Sequence, residues 1–187
     1  MIFPNTITKN IITGIIAPHG ITDLIHAKQE KLLPELYTIN IFTTLGIFGI
    51  DKYHGLDILI NTLFIVSSIY HFRHDMPKID NIINKTCLST LMLSYSIAVD
   101  YKLFLYFMCL FHVPNHYFMN KKVLNNNKKL SFLAISIITI LSIMIGNTHF
   151  IQTHIADIIG KGLIISHIIY EETYIFNTFP KIIDFNK

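Results

Sequence analysis

Ten histidines in a 187-residue chain offer the most chemistry, and their spacing sorts them. His112 and His116 stand four apart in Phe111-His112-Val113-Pro114-Asn115-His116-Tyr117, at the end of an apolar run from Tyr101 to Phe118. On a helix, residues i and i+4 share a face, so both imidazoles can reach one metal ion. An ionisable side chain inside an apolar segment is a functional-site candidate by default. His71 with Asp75, His19 with Asp23, and His167 with Glu171 repeat the interval. A carboxylate so placed can accept the second N–H of a metal-bound imidazole and fix the ring. Asp23 and Asp75 are candidates for that supporting role. Glu171, which with Glu172 interrupts an apolar stretch, is a further candidate.

The other histidines fit blander roles. His54, His149 and His154 fall at helix ends, where interfacial or hydrogen-bonded imidazoles are common. His26 is seven residues from His19 and His74 is three from His71; both are within ligand spacing, and both are more simply interfacial. Tyr70 and Tyr117 flank candidate ligands and suit packing. Cys87 and Cys109 are isolated thiols inside apolar blocks, neither a disulfide framework nor a metal pair.

The elements that must position these groups are membrane helices. Hydrophobic residues make up 51% of the chain and charged residues 14%, against about 25% charged in water-soluble domains; mean hydropathy is +0.47. Apolar blocks long enough to cross a bilayer run over about 10–27, 33–50, 56–72, 82–99, 102–118, 130–146 and 158–178. The pattern predicts an all-α, multi-pass transmembrane bundle of about seven helices, forming a single integral membrane domain over 1–187. The first block is the weakest, interrupted by Pro18, His19, Asp23 and His26.

Charge placement orients the bundle. Lys28, Lys31, Arg73, Lys78, Lys85, Lys121, Lys122, Lys128, Lys129, Lys181 and Lys187 gather on one side, and Lys9, Lys52, Lys102 and Lys161 on the other. The positive-inside rule puts the N-terminus outside and the C-terminus in the cytoplasm. The net charge of +3 is therefore a topology signal and not a nucleic-acid footprint. No cleaved signal peptide is visible, and no phosphate loop, nucleophile elbow or zinc-finger spacing is present. Odd-numbered spans run in one direction, which puts His71, His112 and His116 in the cytoplasmic half and His19 near mid-depth. Four imidazoles from three helices can then meet in one bundle-core site.

Three stretches together resemble a known family. Pro18-His19-Gly20-Ile21-Thr22-Asp23 is similar to the HisGly-x-x-Asp motif of the bacterial and archaeal Brp/Blh β-carotene 15,15′-dioxygenases. Ser68-Ile69-Tyr70-His71-Phe72 resembles their Ser-x-x-His-Phe motif, and His112 to His116 their His-x-x-x-His pair. The resemblance implies a mononuclear non-haem Fe(II) held by His19, His71, His112 and His116. It implies O₂ addition across the central double bond of β-carotene, or a related polyene, to give two all-trans-retinal, and a functional link to a retinal-binding rhodopsin. Family members are usually longer between the second and third motifs.

Other functions use the same residue types. A membrane di-iron hydroxylase or desaturase needs about eight histidines, in His-x-x-x-His and His-x-x-His-His clusters; this chain has no His-His pair. A haem-binding membrane protein needs only two facing histidines. A transporter would line a path with His and Asp.

Overall fold

The computed structural model describes residues 12–52, 57–75, 81–98, 107–148 and 154–178. Every regular element among them is helical. In chain order they are α1 (Ile21–Glu30), α2 (Leu33–Asp51), α3 (Asp57–Phe72), α4 (Ile82–Ala98), α5 (Val113–Met119), α6 (Lys121–Asn126), α7 (Lys128–Gly146) and α8 (His154–Tyr170). π-helical turns lie at Ile12–Ile16, Met108–His112 and Glu171–Ile175, and 3-10 turns at Ala17–Gly20 and Arg73–Asp75.

The predicted blocks at 33–50, 56–72, 82–99 and 130–146 coincide with α2, α3, α4 and α7 to within a few residues. The block at 158–178 begins earlier, at His154, and ends in a π turn; residues 102–106 of the fifth block lie outside the described residues. The first block is not one helix. It divides into a π turn, a 3-10 turn and the start of α1. Pro18 supplies the reason: it has no N–H to donate, and its ring crowds the carbonyl four residues back. That carbonyl belongs to Gly14, inside the π turn. Pro114 repeats the device, with Leu110 inside the π turn Met108–His112.

Leu33–Asp51 and Lys128–Ile145 are long and apolar enough to cross a membrane. As described, α3, α4 and α8 run 16, 17 and 17 residues, short of the roughly 20 that span a hydrocarbon core. Polarity is inverted relative to a water-soluble fold. Along α2, Tyr37, Ile41, Leu45 and Phe48 make an exposed stripe at helical spacing; along α7, Phe132, Leu133, Ile137, Ile140, Leu141 and Met144 are exposed. Meanwhile His19, Asp23, Glu35, His71, His112, His116, Glu171 and Glu172 are buried. Apolar surface on this scale suits lipid or a partner and not water.

The chain divides into two compact units, one of Asp23–Ser68 with His149–Lys187, the other of Ile2–Thr22 with Ile69–Thr148. In the first, α2 packs along α8 over a core of Ala27, Leu36, Ile39, Tyr170 and Tyr174, with Ile47, Ile60 and Ile158 as a second cluster. α1 stops at Lys31, whose φ of 60° lets the Leu32 N–H reach the Ala27 carbonyl at 2.7 Å, the 6→1 bond of a Schellman motif. Ser166 of α8 donates to the Asn40 side chain of α2 at 2.6 Å.

Gly162 makes that helix pair possible. A Cβ there would stand 2.7 Å from Thr44 Oγ1 and 2.9 Å from its Cα, whereas one on Gly160 would meet nothing within 4 Å. Gly162→Ala must push α2 and α8 apart. It is expected to cost about 1–3 kcal/mol, the usual range for overpacking, and Gly160→Ala very little. Thermal unfolding in detergent compares them; equal midpoints would remove the close approach as a determinant.

In the second unit, α7 packs against the turns at Ile12–Ile16 and Ala17–Gly20, and α5 packs against the latter. Phe72 and Met108 form its buried apolar centre, with Ile16, Ile69 and Phe107 around them. The Asn127 side chain caps α7 by accepting from the Leu130 N–H at 3.2 Å.

Candidate metal centre

The second unit gathers all four histidines of the proposed ligand set. His19 follows Pro18 within the 3-10 turn Ala17–Gly20, His71 lies in the last turn of α3, and His112 ends the π turn that runs into α5, which carries His116. All four are buried. Ring centroids are 5.1 Å apart for His19 and His112, 5.0 Å for His19 and His116, 5.4 Å for His71 and His112, and 6.1 Å for His112 and His116. Two imidazoles bound to one ion through nitrogens at about 2.1 Å would set their centroids about 4.6–5.3 Å apart at coordination angles of 90–109°. The first two separations fall within that range, the third lies 0.1 Å beyond it, and the fourth is wider.

Hydrogen bonds assign a tautomer to three of the rings. His19 Nδ1 bonds the Ile16 carbonyl, and a carbonyl accepts only, so Nδ1 carries the proton. His112 Nδ1 lies 2.7 Å from Asp75 Oδ2. Asn115 Nδ2 donates to the other Asp75 oxygen at 2.9 Å. Thr22 Oγ1 donates to the His19 carbonyl at 2.8 Å, which leaves its oxygen to accept from His116 Nδ1 at 3.5 Å. With Nδ1 protonated on each, Nε2 holds the lone pair that a metal would take. Burial would raise the Asp75 carboxyl, but the hydrogen bonds from His112 and Asn115 hold it below the ordinary carboxylate range. It stays ionised at neutral pH and can accept from His112.

Asp75 thus orients His112, 37 residues away, where its i+4 spacing from His71 suggested that ring. Thr22 and Asn115 were not singled out from sequence. Thr22 sits inside the HisGly-x-x-Asp stretch and Asn115 inside the His-x-x-x-His stretch, so motif membership was the available signal. His74 packs 6.4 Å from His71, ring to ring.

Asp23 and Glu171 are in the first unit. Asp23 Oδ2 accepts from His167 Nδ1 at 2.7 Å, and His167 Nε2 lies 3.8 Å from Glu171 Oε2. Each of these three residues offers a ligand atom within 4.8 Å of the other two, so this His/Asp/Glu group could hold a metal ion. Both carboxylates were expected only to support a histidine site. His26 Nδ1 is 2.9 Å from the Tyr170 hydroxyl, and exposed His154 pairs with Asp51 at 2.9 Å. His54 and His149 lie outside the described residues.

An aromatic series leads away from the histidines. Phe72 stands 4.9 Å from His112, Phe107 5.3 Å from Phe72, and Phe111 stacks 6.3 Å from Phe107. Phe111 is 62% exposed, so the series joins the buried rings to the apolar exterior.

Comparison with protein-family models, with curated proteins and with solved structures finds no match.

Proposed function

We propose that this chain is an integral membrane, Fe(II)-dependent oxygenase that cleaves the central double bond of β-carotene, or a related polyene, with O₂ to give two retinal molecules. The observation that carries the proposal is the gathering of His19, His71, His112 and His116 in one unit, with Nδ1 of three rings tied down by Ile16, Asp75 and Thr22. Neutral imidazoles suit Fe(II) and leave its charge on the metal. When bound, iron would supply O₂ activation. The protein's own part is to hold the rings, keep Nε2 deprotonated and shield the site within buried surroundings.

The polyene and both aldehyde products are lipid-soluble, and the outward apolar stripes of α2 and α7 suit the same medium. Phe72, Phe107 and Phe111 offer a polyene flat, polarisable contacts between exterior and site. One C=C bond breaks and two C=O bonds form, each aldehyde taking one oxygen atom, so the reaction balances without an external reductant. The seven-span topology, with N-terminus outside and C-terminus in the cytoplasm, belongs to this proposal, as does a retinal-binding rhodopsin downstream.

Expression in a bacterial strain that accumulates β-carotene tests it. The expected result is loss of orange pigment with retinal or retinol appearing on chromatography. Unchanged β-carotene in cells with confirmed membrane expression would reject this substrate. A Soret band in those membranes would favour haem, and two irons per chain held by histidine alone a di-iron enzyme.

A further inference from the structure

We infer that Lys121, Lys122, Lys128 and Lys129, in the second unit, form a docking site for the headgroups of anionic phospholipids at one end of α7. They stand on α6 and on the first turn of α7, and all are exposed. α6 packs against both α5 and α7. Asn120, which joins α5 to α6, is buried. Its side chain donates to the His116 carbonyl at 3.1 Å, and its own carbonyl accepts from the Leu124 N–H at 3.0 Å. Asn127 breaks the helix with φ −144° and ψ 76°, then caps α7. The lysines are thus carried on two elements whose junctions are pinned by hydrogen bonds.

These charges serve no acid of their own chain. No Asp or Glu occurs between Asp100 and Asp157, and among the described residues none of the four lysines pairs with a carboxylate. Nor do they support their helices. Neither α6 nor α7 has an acid in its first turn, and positive charge placed there opposes the helix dipole. An anion from outside the chain relieves both conditions.

Flanking apolar surface selects a lipid over a free phosphate. Lys128–Ile145 is long and apolar enough to cross a membrane, which puts the first turn of α7 at headgroup depth. Phe118, Leu130, Phe132 and Leu133 are exposed, and Lys121 Nζ stands 5.3 Å from the centre of the Phe118 ring, over its face. Lysine stems lie along such surface while their ammonium groups reach a phosphate, and basic clusters of this size beside a membrane helix attract anionic leaflets.

Electron spin resonance of labelled lipids tests the site. Full-length protein is reconstituted in phosphatidylcholine vesicles with a trace of spin-labelled phosphatidylglycerol or spin-labelled phosphatidylcholine, and the motionally restricted fractions are compared. Phosphatidylglycerol is expected to be preferred about fivefold or more, the weight of a single lysine near an anionic surface, and the preference to fade as salt rises. Lys121→Gln/Lys122→Gln/Lys128→Gln/Lys129→Gln should bring the ratio close to unity. Lys28→Gln/Lys31→Gln/Lys181→Gln/Lys187→Gln removes the same charge elsewhere and should keep most of the preference. The assignment is overturned if wild-type protein shows no preference, if the first variant matches wild type, or if the second loses as much as the first. Inorganic phosphate that abolishes the preference at constant ionic strength would make this a free-anion site and overturn it as well. Should the first variant fail to reconstitute, Lys121→Gln/Lys122→Gln and Lys128→Gln/Lys129→Gln decide, since each pair must lower the preference. Carotenoid cleavage enters none of these readouts, so this inference and the proposed activity fail separately.

Discussion

Alanine at His112 or at His116 is expected to abolish retinal formation, by on the order of 100-fold or more, since loss of partners outside a metal's ligand shell already costs about 10–100-fold. Both imidazoles are buried and neighbour the His19 ring; removing either takes one nitrogen out of the proposed ligand set. His154→Ala, an exposed residue paired to Asp51, should retain most activity and serves as the control. Pigment extraction, iron per chain and membrane expression are measured together. Equal loss in all three variants would place the chemistry elsewhere in the chain, and full activity in His112→Ala would remove that residue from the ligand set.

Asp75→Ala should reduce iron affinity or activity by about 10–100-fold, the range typical of a partner that orients a metal-bound histidine. The carboxylate accepts from His112 Nδ1 at 2.7 Å and from Asn115 at 2.9 Å. Its loss frees the ring to rotate and to switch tautomer, turning the lone pair away from Nε2. Asn115→Ala leaves the His112 bond in place and should cost less. Iron retention during chelator dialysis separates this role from a general loss of fold. If Asp75→Ala holds iron as wild type does, the hydrogen bond is structural only.

Much of the helical framework was legible because it rests on local periodicity. The apolar blocks that become α2, α3, α4 and α7 announce themselves by length and composition, and the i, i+4 interval puts His112 and His116 on neighbouring turns without any tertiary information. Pro18 and the polar residues after it marked the first block as weak, and Pro18 is where the regular helix fails. Proline also leaves its mark at Pro114, but its consequence, a π turn over Met108–His112, depends on what the widened backbone can pack against.

What only the tertiary structure decided is which distant groups meet. Local spacing offered Asp75 to His71 and Asp23 to His19; the fold gives Asp75 to His112 across 37 residues and Asp23 to His167 across 144. Thr22 reaching His116 is a contact of the same kind. Spacing on one helix is set by 3.6 residues per turn and can be read from the sequence. Partners on different helices depend on how side-chain surfaces interlock, as at Gly162 and Thr44, and a linear pattern holds no record of that geometry.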